Sequence, residues 1–401
     1  MAPEGVIDPV RQEVLDVTNE LPAHANVVVI GGGVIGLSSA YHLAAAGVRD
    51  VVLVEQGELG SGSTCKAAGG VRAQFSDAVN IELGRRSLRT FESFADSFGQ
   101  EIDLHQVGYL FLLDDPAHVS AFEPNVTLQN DLGVATRMID VAEAKRLSPL
   151  IETDGLLAAA FGPDDGHCTP ESVVLGYAGA ARRAGARLLR GVEVTGIDRE
   201  GDDIRRVHTT AGPIRTDTVI CAAGAYAAEV GHMVGVDLPV EPVRRQIITT
   251  GPAPDVRGDV PFTIDFSTSL YFHREGAGLL VGMSDPDESP GFKLARDEAW
   301  LPRLADAVEH RAPRIGDYGI ACGWAGLYEM TPDHNALIGE STEVSRFLYA
   351  AGFSGHGFLM GPAVGEVMRD LYLGRPPVVD VTALGLHRFT GHTLHHELNI
   401  V

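Results

Sequence analysis

Residues 27–36 read Val-Val-Val-Ile-Gly-Gly-Gly-Val-Ile-Gly, and residues 51–55 read Val-Val-Leu-Val-Glu. An apolar strand runs into a Gly-x-Gly-x-x-Gly turn at Gly31, Gly33 and Gly36. A helix over 37–46 follows and stops at Gly47, and a second apolar strand ends on the acid Glu55. Gly31 permits the tight turn, Gly33 lets backbone approach a pyrophosphate, and Gly36 lets helix and strand pack closely. The helix N-terminus offers free N–H groups and a positive dipole end to phosphates. Glu55 suits the ribose hydroxyls of an adenosine, and its charge argues against a 2′-phosphate and so against NADP. The turn alone is a weak signal. Strand, turn, helix, strand and acid in this order make a dinucleotide site.

The bulk properties fit a globular enzyme. The chain has 401 residues, of which 45% are hydrophobic and 21% charged, with a net charge of −23. Such an acidic surface repels nucleic acid and anionic membranes. Only Lys66, Lys145 and Lys293 are lysines. Cys65, Cys168, Cys221 and Cys322 form no Cys-x-x-Cys pair, which argues against zinc or dithiol chemistry and for a reducing cytoplasm. Residues 1–24 lack the basic start and apolar centre of a signal peptide and read as a surface arm. No apolar run reaches transmembrane length. His387, His392, His395 and His396 are dispersed in a tail expected to be solvated, and no metal site is expected.

Farther along, small residues dominate 60–72, Gly-Ser-Gly-Ser-Thr-Cys-Lys-Ala-Ala-Gly-Gly-Val-Arg, where backbone can run close against something flat. Helical patterns cover 77–98, 116–132, 140–147, 295–309 and about 363–373. A helix from Thr169 to Gly185 carries a partial capping box, with Pro170 at its first position and Glu171 one place early. Residues 204–214 read as a meander, and 238–284 alternate as a broad antiparallel sheet. Nucleotide-type βα units at the start, middle and end, with sheet-rich segments between, predict two discontinuous domains and a ligand in the cleft. The fold class is mixed α/β: a Rossmann-like domain over 25–85, 150–229 and 325–401, interleaved with an antiparallel-sheet substrate domain over 86–149 and 230–324.

Five ordered motifs carry a resemblance. They are the fingerprint Gly31–Glu55; Gly62-Ser63-Thr64 with Gly69-Gly70-Val71-Arg72; Ala222-Ala223-Gly224; Leu327-Tyr328-Glu329-Met330-Thr331-Pro332-Asp333; and Gly352-Phe353-Ser354-Gly355-His356-Gly357-Phe358. Together they resemble the D-amino-acid-oxidase superfamily of FAD enzymes over roughly residues 25–385. Within it the chain is most similar to sarcosine oxidases, dimethylglycine dehydrogenases and the beta subunits of heteromeric sarcosine oxidase and proline dehydrogenase. The resemblance implies oxidation of a C–N bond in a secondary, N-methylated or cyclic amino acid, with hydride passing to flavin. It implies FAD contacts at Gly31, Gly33, Val34, Ile35, Gly36, Glu55, Gln56, Ser63, Thr64, Lys66, Ala68, Gly69, Gly70, Val194, Ala223, Gly224 and Gly326. Gly355, His356, Gly357, Phe358 and Leu359 would approach the isoalloxazine.

Departures from the family pattern carry as much information. Gly326 stands where sarcosine oxidase attaches flavin to cysteine, and Lys66 where dimethylglycine dehydrogenases use histidine, so noncovalent FAD is expected. Leu280 aligns with a lysine that activates O₂, which favours an acceptor other than O₂; Lys66 is the spatial substitute to consider. Leu359 replaces a lysine that helps hold the substrate carboxylate, leaving Arg72 as the expected anchor. Tyr271, Tyr328 and His356 complete the candidate substrate site. Tyr271 reads equally well as a packed sheet residue, and Arg72 also as a structural ion pair. Two alternatives remain open: a beta-type subunit of a heteromeric amine dehydrogenase, with Pro170 where such a subunit carries FMN on histidine, and a non-catalytic flavin-binding assembly protein. A homo-oligomer or a partner subunit is compatible with either.

Overall fold

The computed structural model describes residues 20–390 and 394–400. The run Val27–Ile30 is the central strand of a six-stranded sheet. Across it the order is Leu337–Glu340, Phe347–Ala351, Val219–Cys221, Val27–Ile30, Val51–Glu55 and Arg187–Arg190. All neighbours are parallel except the Leu337–Glu340 edge. Central parallel strands are covered on both faces, which is why they read as unbroken apolar runs rather than alternating ones. Helices Val34–Ala45, Ala78–Glu92, Pro170–Arg183 and Gly357–Tyr372 build the core on one face. The antiparallel meander Val194–Arg215 and helix Ala227–Val234 close the other.

A second sheet has eight strands. Its order is Ile320–Met330, Glu241–Thr250, Gly278–Met283, Tyr271–Glu275, Phe262–Asp265, Tyr109–Leu113, Ala158–Gly162 and Arg137–Ile139. Only the Phe262–Asp265 and Tyr109–Leu113 pair is parallel. Helix Leu301–Arg311 packs with one core of this sheet through Leu304 and Val308. Tyr109, Phe111, Ile247, Phe262, Ile264, Tyr271 and Leu280 gather in the other. The chain crosses between the two sheets four times, so a cleft is built from segments distant in sequence.

Sheet membership redraws the expected boundaries. Ala158–Gly162 and Ala325–Met330 lie in the eight-stranded sheet, although 150–229 and 325–401 read as parts of the nucleotide half. Both segments are largely apolar, and periodicity does not say which sheet such a strand joins. Helix Ala78–Glu92 straddles the expected break at 85. The pattern over 77–98 is two helices, Ala78–Glu92 and Phe94–Phe98, interrupted at Ser93; Asp77 caps the first by accepting from the Val79 N–H at 2.9 Å. Thr169 precedes its helix but makes no side-chain capping bond. The last helix begins at Gly357, not near 363, with Pro362 inside it.

The tail meets expectation at His387, His395 and His396, which are exposed, but not throughout. Glu397 and Asn399 are buried, not solvated. The Glu397 carboxylate accepts from the Ser76 N–H and hydroxyl, each at 2.8 Å, and from Asn80 Nδ2 at 2.9 Å. Among the residues read as an N-terminal arm, 1–19 lie outside the described residues; Ala23 accepts from the Arg215 N–H at 3.1 Å. His392 also lies outside the described residues.

Candidate active site

The turn at 31–36 is fixed by close packing. A side chain at Gly31, where φ is +110°, would meet the Ala222 carbonyl oxygen at 2.2 Å. One at Gly36 would meet the Gly31 carbonyl oxygen at 2.0 Å. Gly33 is different: a Cβ there would meet only the Thr64 hydroxyl, at 3.1 Å, and the residue borders a cavity. Two glycines therefore hold backbone against backbone, and the third keeps space open beside the helix N-terminus. Thr64 Oγ1 accepts the Val34 N–H at 3.1 Å, tying the 60–72 segment to the first turn of the helix.

Glu55 is already oriented. One carboxylate oxygen accepts the Gly32 N–H and the other the Gly57 N–H, both at 2.7 Å. Each oxygen keeps a lone pair for a hydroxyl donor. Gln56 lies beside it on the cavity wall.

From here a cavity of about 500 Å³ extends toward the eight-stranded sheet. Of the residues expected at the cofactor, Gly31, Gly33, Val34, Ile35, Glu55, Gln56, Ser63, Thr64, Lys66, Ala68, Gly69, Gly70, Ala223, Gly224, Gly326, Gly355, His356, Gly357, Phe358 and Leu359 all line it. Gly36 does not, because it packs on Gly31. The Val194 side chain is buried in the core beneath the meander, and its neighbour Glu193 lines the cavity instead. Arg72, Tyr271 and Tyr328 also border the space.

Sequence reasoning missed Tyr109, Arg245, Ile247, Phe262, Ile264 and Glu329, which line the same cavity. Tyr109 stacks on Phe262 at 4.3 Å, and Phe262 stacks on Tyr271 at 5.7 Å, forming an aromatic floor. The available signal was alternation: in Val243-Arg244-Arg245-Gln246-Ile247, Arg245 lies on the same face as Val243 and Ile247.

The electrostatics of the site follow from burial. Burial lifts the Glu329 carboxyl to about 7, opposed by the bond it accepts from the Gly352 N–H at 3.0 Å. Burial raises Tyr271 well above its ordinary range and raises Tyr328 too, so both phenols stay protonated as donors. Burial, and then the Arg72 charge, holds His356 well below the usual imidazole range. An Arg72 terminal nitrogen lies 3.1 Å from the His356 Nε2 and can only donate, so Nε2 accepts and the ring is neutral.

Arg72 is 2% exposed. Its guanidinium donates to the Gln74 carbonyl and, at 2.5 Å, to the Asn399 carbonyl, and it lies 4.2 Å from the centre of the Phe75 ring. The C-terminal segment is thus bonded to the expected substrate anchor. Lys66 points its ammonium at the Ser61 and Gly62 carbonyls. Leu280 is buried in the sheet core. Gly326 packs against Lys66, where a Cβ would meet the lysine Cβ at 3.0 Å.

A family model described as FAD dependent oxidoreductase matches residues 26–371. The chain belongs to this family. Mitochondrial dimethylglycine dehydrogenase of Mus musculus is 32% identical over 385 residues, covering 91% of this chain and 44% of that protein. The 4-methylaminobutanoate oxidase (formaldehyde-forming) of Paenarthrobacter nicotinovorans is 29% identical, covering 93% and 46%. The chain spans less than half the length of these curated relatives. The crystal structure of L-proline dehydrogenase from P. horikoshii superposes with a TM-score of 0.87 at 34% identity, covering 92% of this chain and 99% of that one. FAD is the cofactor of the family, and the residues present fit it: an open glycine cradle at a helix N-terminus, an oriented acid at the end of the second strand, and a small-residue strip leading into an aromatic-floored cavity. No helix among the described residues is long and apolar enough to cross a membrane.

Proposed function

We propose that this chain oxidises the C–N bond of a secondary, N-methylated or cyclic amino acid of the sarcosine or proline kind. The observation that carries the reading is the arrangement of the cavity beyond the small-residue strip. Arg72 and Arg245, two buried phenols and an aromatic floor surround one space in a chain that superposes on a proline dehydrogenase over 92% of its length. When bound, FAD supplies the two-electron acceptor for a hydride leaving the carbon attached to nitrogen. The nitrogen lone pair then forms the imine C=N bond, and water hydrolyses it.

The protein's own residues prepare the substrate. Cations in a low-dielectric cavity favour the carboxylate and disfavour a protonated amine. A neutral amine keeps the lone pair the oxidation needs. The phenols of Tyr271 and Tyr328 are held protonated and donate hydrogen bonds. Tyr109, Phe262 and Ile264 exclude water from the reacting carbon. His356 turns its Nε2 to Arg72, so its part is to position that cation and not to move a proton.

Leu280 in the core and Lys66 bound to loop carbonyls leave neither side chain to stabilise charge on reducing O₂, which favours another electron carrier as acceptor. A cytoplasmic setting fits four cysteines that are all unpaired thiols. The test is anaerobic titration of the yellow holoprotein with sarcosine, N,N-dimethylglycine, both enantiomers of proline and 4-methylaminobutanoate, beside glycine and lactate. Bleaching by the secondary or tertiary amino acids is expected. Bleaching by glycine or lactate alone would overturn the reading, and no bleaching at all would favour a non-catalytic flavoprotein.

A further inference from the structure

The strand Glu241–Thr250 carries two successive arginines with opposite surroundings. Arg244 is neutralised: it binds Glu288 at 2.6 Å and Asp297 at 3.2 Å. Arg245, on the other face, borders the cavity with Ile247. One terminal nitrogen donates to the Arg244 carbonyl at 3.0 Å, while Nε is enclosed and has no partner. Its guanidinium carbon lies 5.1 Å from the centre of the Tyr328 ring. No carboxylate pairs with it among the described residues.

Such an arrangement is incomplete as it stands. A guanidinium has five N–H donors and no way to lose its charge. An enclosed donor without an acceptor is unfavourable, and the aromatic face of Tyr328 offers only partial compensation. The second terminal nitrogen makes no bond within the protein and is not enclosed, so it is the donor that an entering carboxylate meets with a charge-assisted bond. Arg72 is in the reverse condition, since its terminal nitrogens already meet the carbonyls of Gln74 and Asn399 and the ring of His356. Leu359 supplies no charge.

We propose that Arg245 is the anchor for the carboxylate of the amino-acid substrate, with Tyr328 as the platform beneath its guanidinium; this rests on the function proposed above. The anchor selects amines that carry an acid group over simple amines. Ile247 on the same strand, and Phe262 and Ile264 farther along the cavity wall, select a short aliphatic body.

The test uses the holoenzyme and tetrahydro-2-furoate, a proline-shaped acid with no C–N bond to oxidise, beside its carboxamide. Binding is followed by flavin absorbance and by calorimetry. The parent protein is expected to bind the acid far more tightly than the amide. Arg245→Met should weaken acid binding by roughly 30-fold or more and leave amide binding unchanged, with FAD still bound. Arg245→Lys should recover part of the loss and shows that the effect is one of charge. Arg72→Met should weaken the acid less. If Arg245→Met binds the acid like the parent, or the parent does not distinguish acid from amide, the anchor lies elsewhere. The function can fail separately. Acid binding that depends on Arg245 in a protein bleached by no amino acid keeps the anchor and removes the reaction. Equal bleaching by pyrrolidine and proline keeps the reaction and removes the anchor.

Discussion

Replacing Glu55 with Gln tests the adenosine end of the site, and the structure sets the size of the effect. The two oxygens of Glu55 accept the Gly32 and Gly57 N–H groups at 2.7 Å each. A glutamine has one accepting oxygen. Its amide nitrogen would face the other N–H donor to donor. At least one charge-assisted bond is lost, and such a bond contributes about 1.5–3 kcal/mol. The free lone pairs that would meet the ribose hydroxyls are lost on the same side. FAD affinity should therefore fall by roughly 10- to 150-fold. The assay is fluorescence titration of apoprotein with FAD, repeated with FMN. FMN lacks the adenosine half and should bind the variant as it binds the parent. An unchanged FAD affinity would refute the ribose role. Equal weakening of FAD and FMN would show instead that the carboxylate serves only to hold the glycine turn.

Three further outcomes are expected. FAD should be released by acid precipitation and leave the supernatant yellow, because Gly326 and Lys66 stand at the two attachment positions; colour retained in the protein pellet would contradict this. Reduced protein should reoxidise slowly in air-saturated buffer and recover turnover with a quinone, because Leu280 is buried and Lys66 binds the Ser61 and Gly62 carbonyls; oxidase-like reoxidation would refute it. Apoprotein stability should rise with pH between about 4.5 and 6.5. Burial holds His42 and His273 at about 4, and His167 and His356 are also lowered, so only the unfolded chain takes up protons there and stability is lost as pH falls through this window. Asp165 and Glu329 act in the opposite sense, because burial lifts both to about 7 and the folded chain keeps protons that the unfolded chain releases. Their contribution is present at the acid end and is lost as pH rises to 7, but four imidazoles outweigh two carboxyls. A denaturation midpoint that falls from pH 4.5 to 6.5 would contradict the balance.

The nucleotide half was legible because its constraints are largely local. Gly36 answers to the Gly31 carbonyl and Glu55 to the Gly32 and Gly57 N–H groups, all within one βαβ unit, while the Ala222 carbonyl that confines Gly31 lies on a distant segment. The eight-stranded sheet was legible as strands but not as an order of strands. Nothing in Ala158–Gly162 says that its partners are Tyr109–Leu113 and Arg137–Ile139, since an apolar strand fits either sheet. Leu327–Asp333 was read only as a motif, yet its first residues end the strand Ile320–Met330, which pairs along Glu241–Thr250. The helix start at Gly357 was hidden by Pro362, which is tolerated five residues into the helix.

The substrate end was the least legible because its charges are partnered by chain segments that sequence does not bring together. Arg72 is an anchor by motif, but a buried guanidinium takes whichever acceptors are nearest. Here these come from Gln74, two residues away, and from Asn399, at the other end of the described chain. Asn399 reaches it because Glu397 is fastened to Ser76 and Asn80 at the start of helix Ala78–Glu92. Arg245 had no motif at all. Its significance is a difference from Arg244, one residue before it on the opposite face of the same strand. Arg244 meets two carboxylates of this chain, so a substrate acid would compete with them. Arg245 meets none among the described residues and faces a cavity with protonated phenols. A negative charge arriving from outside therefore gains most at Arg245, and the motif's own arginine is left to order the wall behind it.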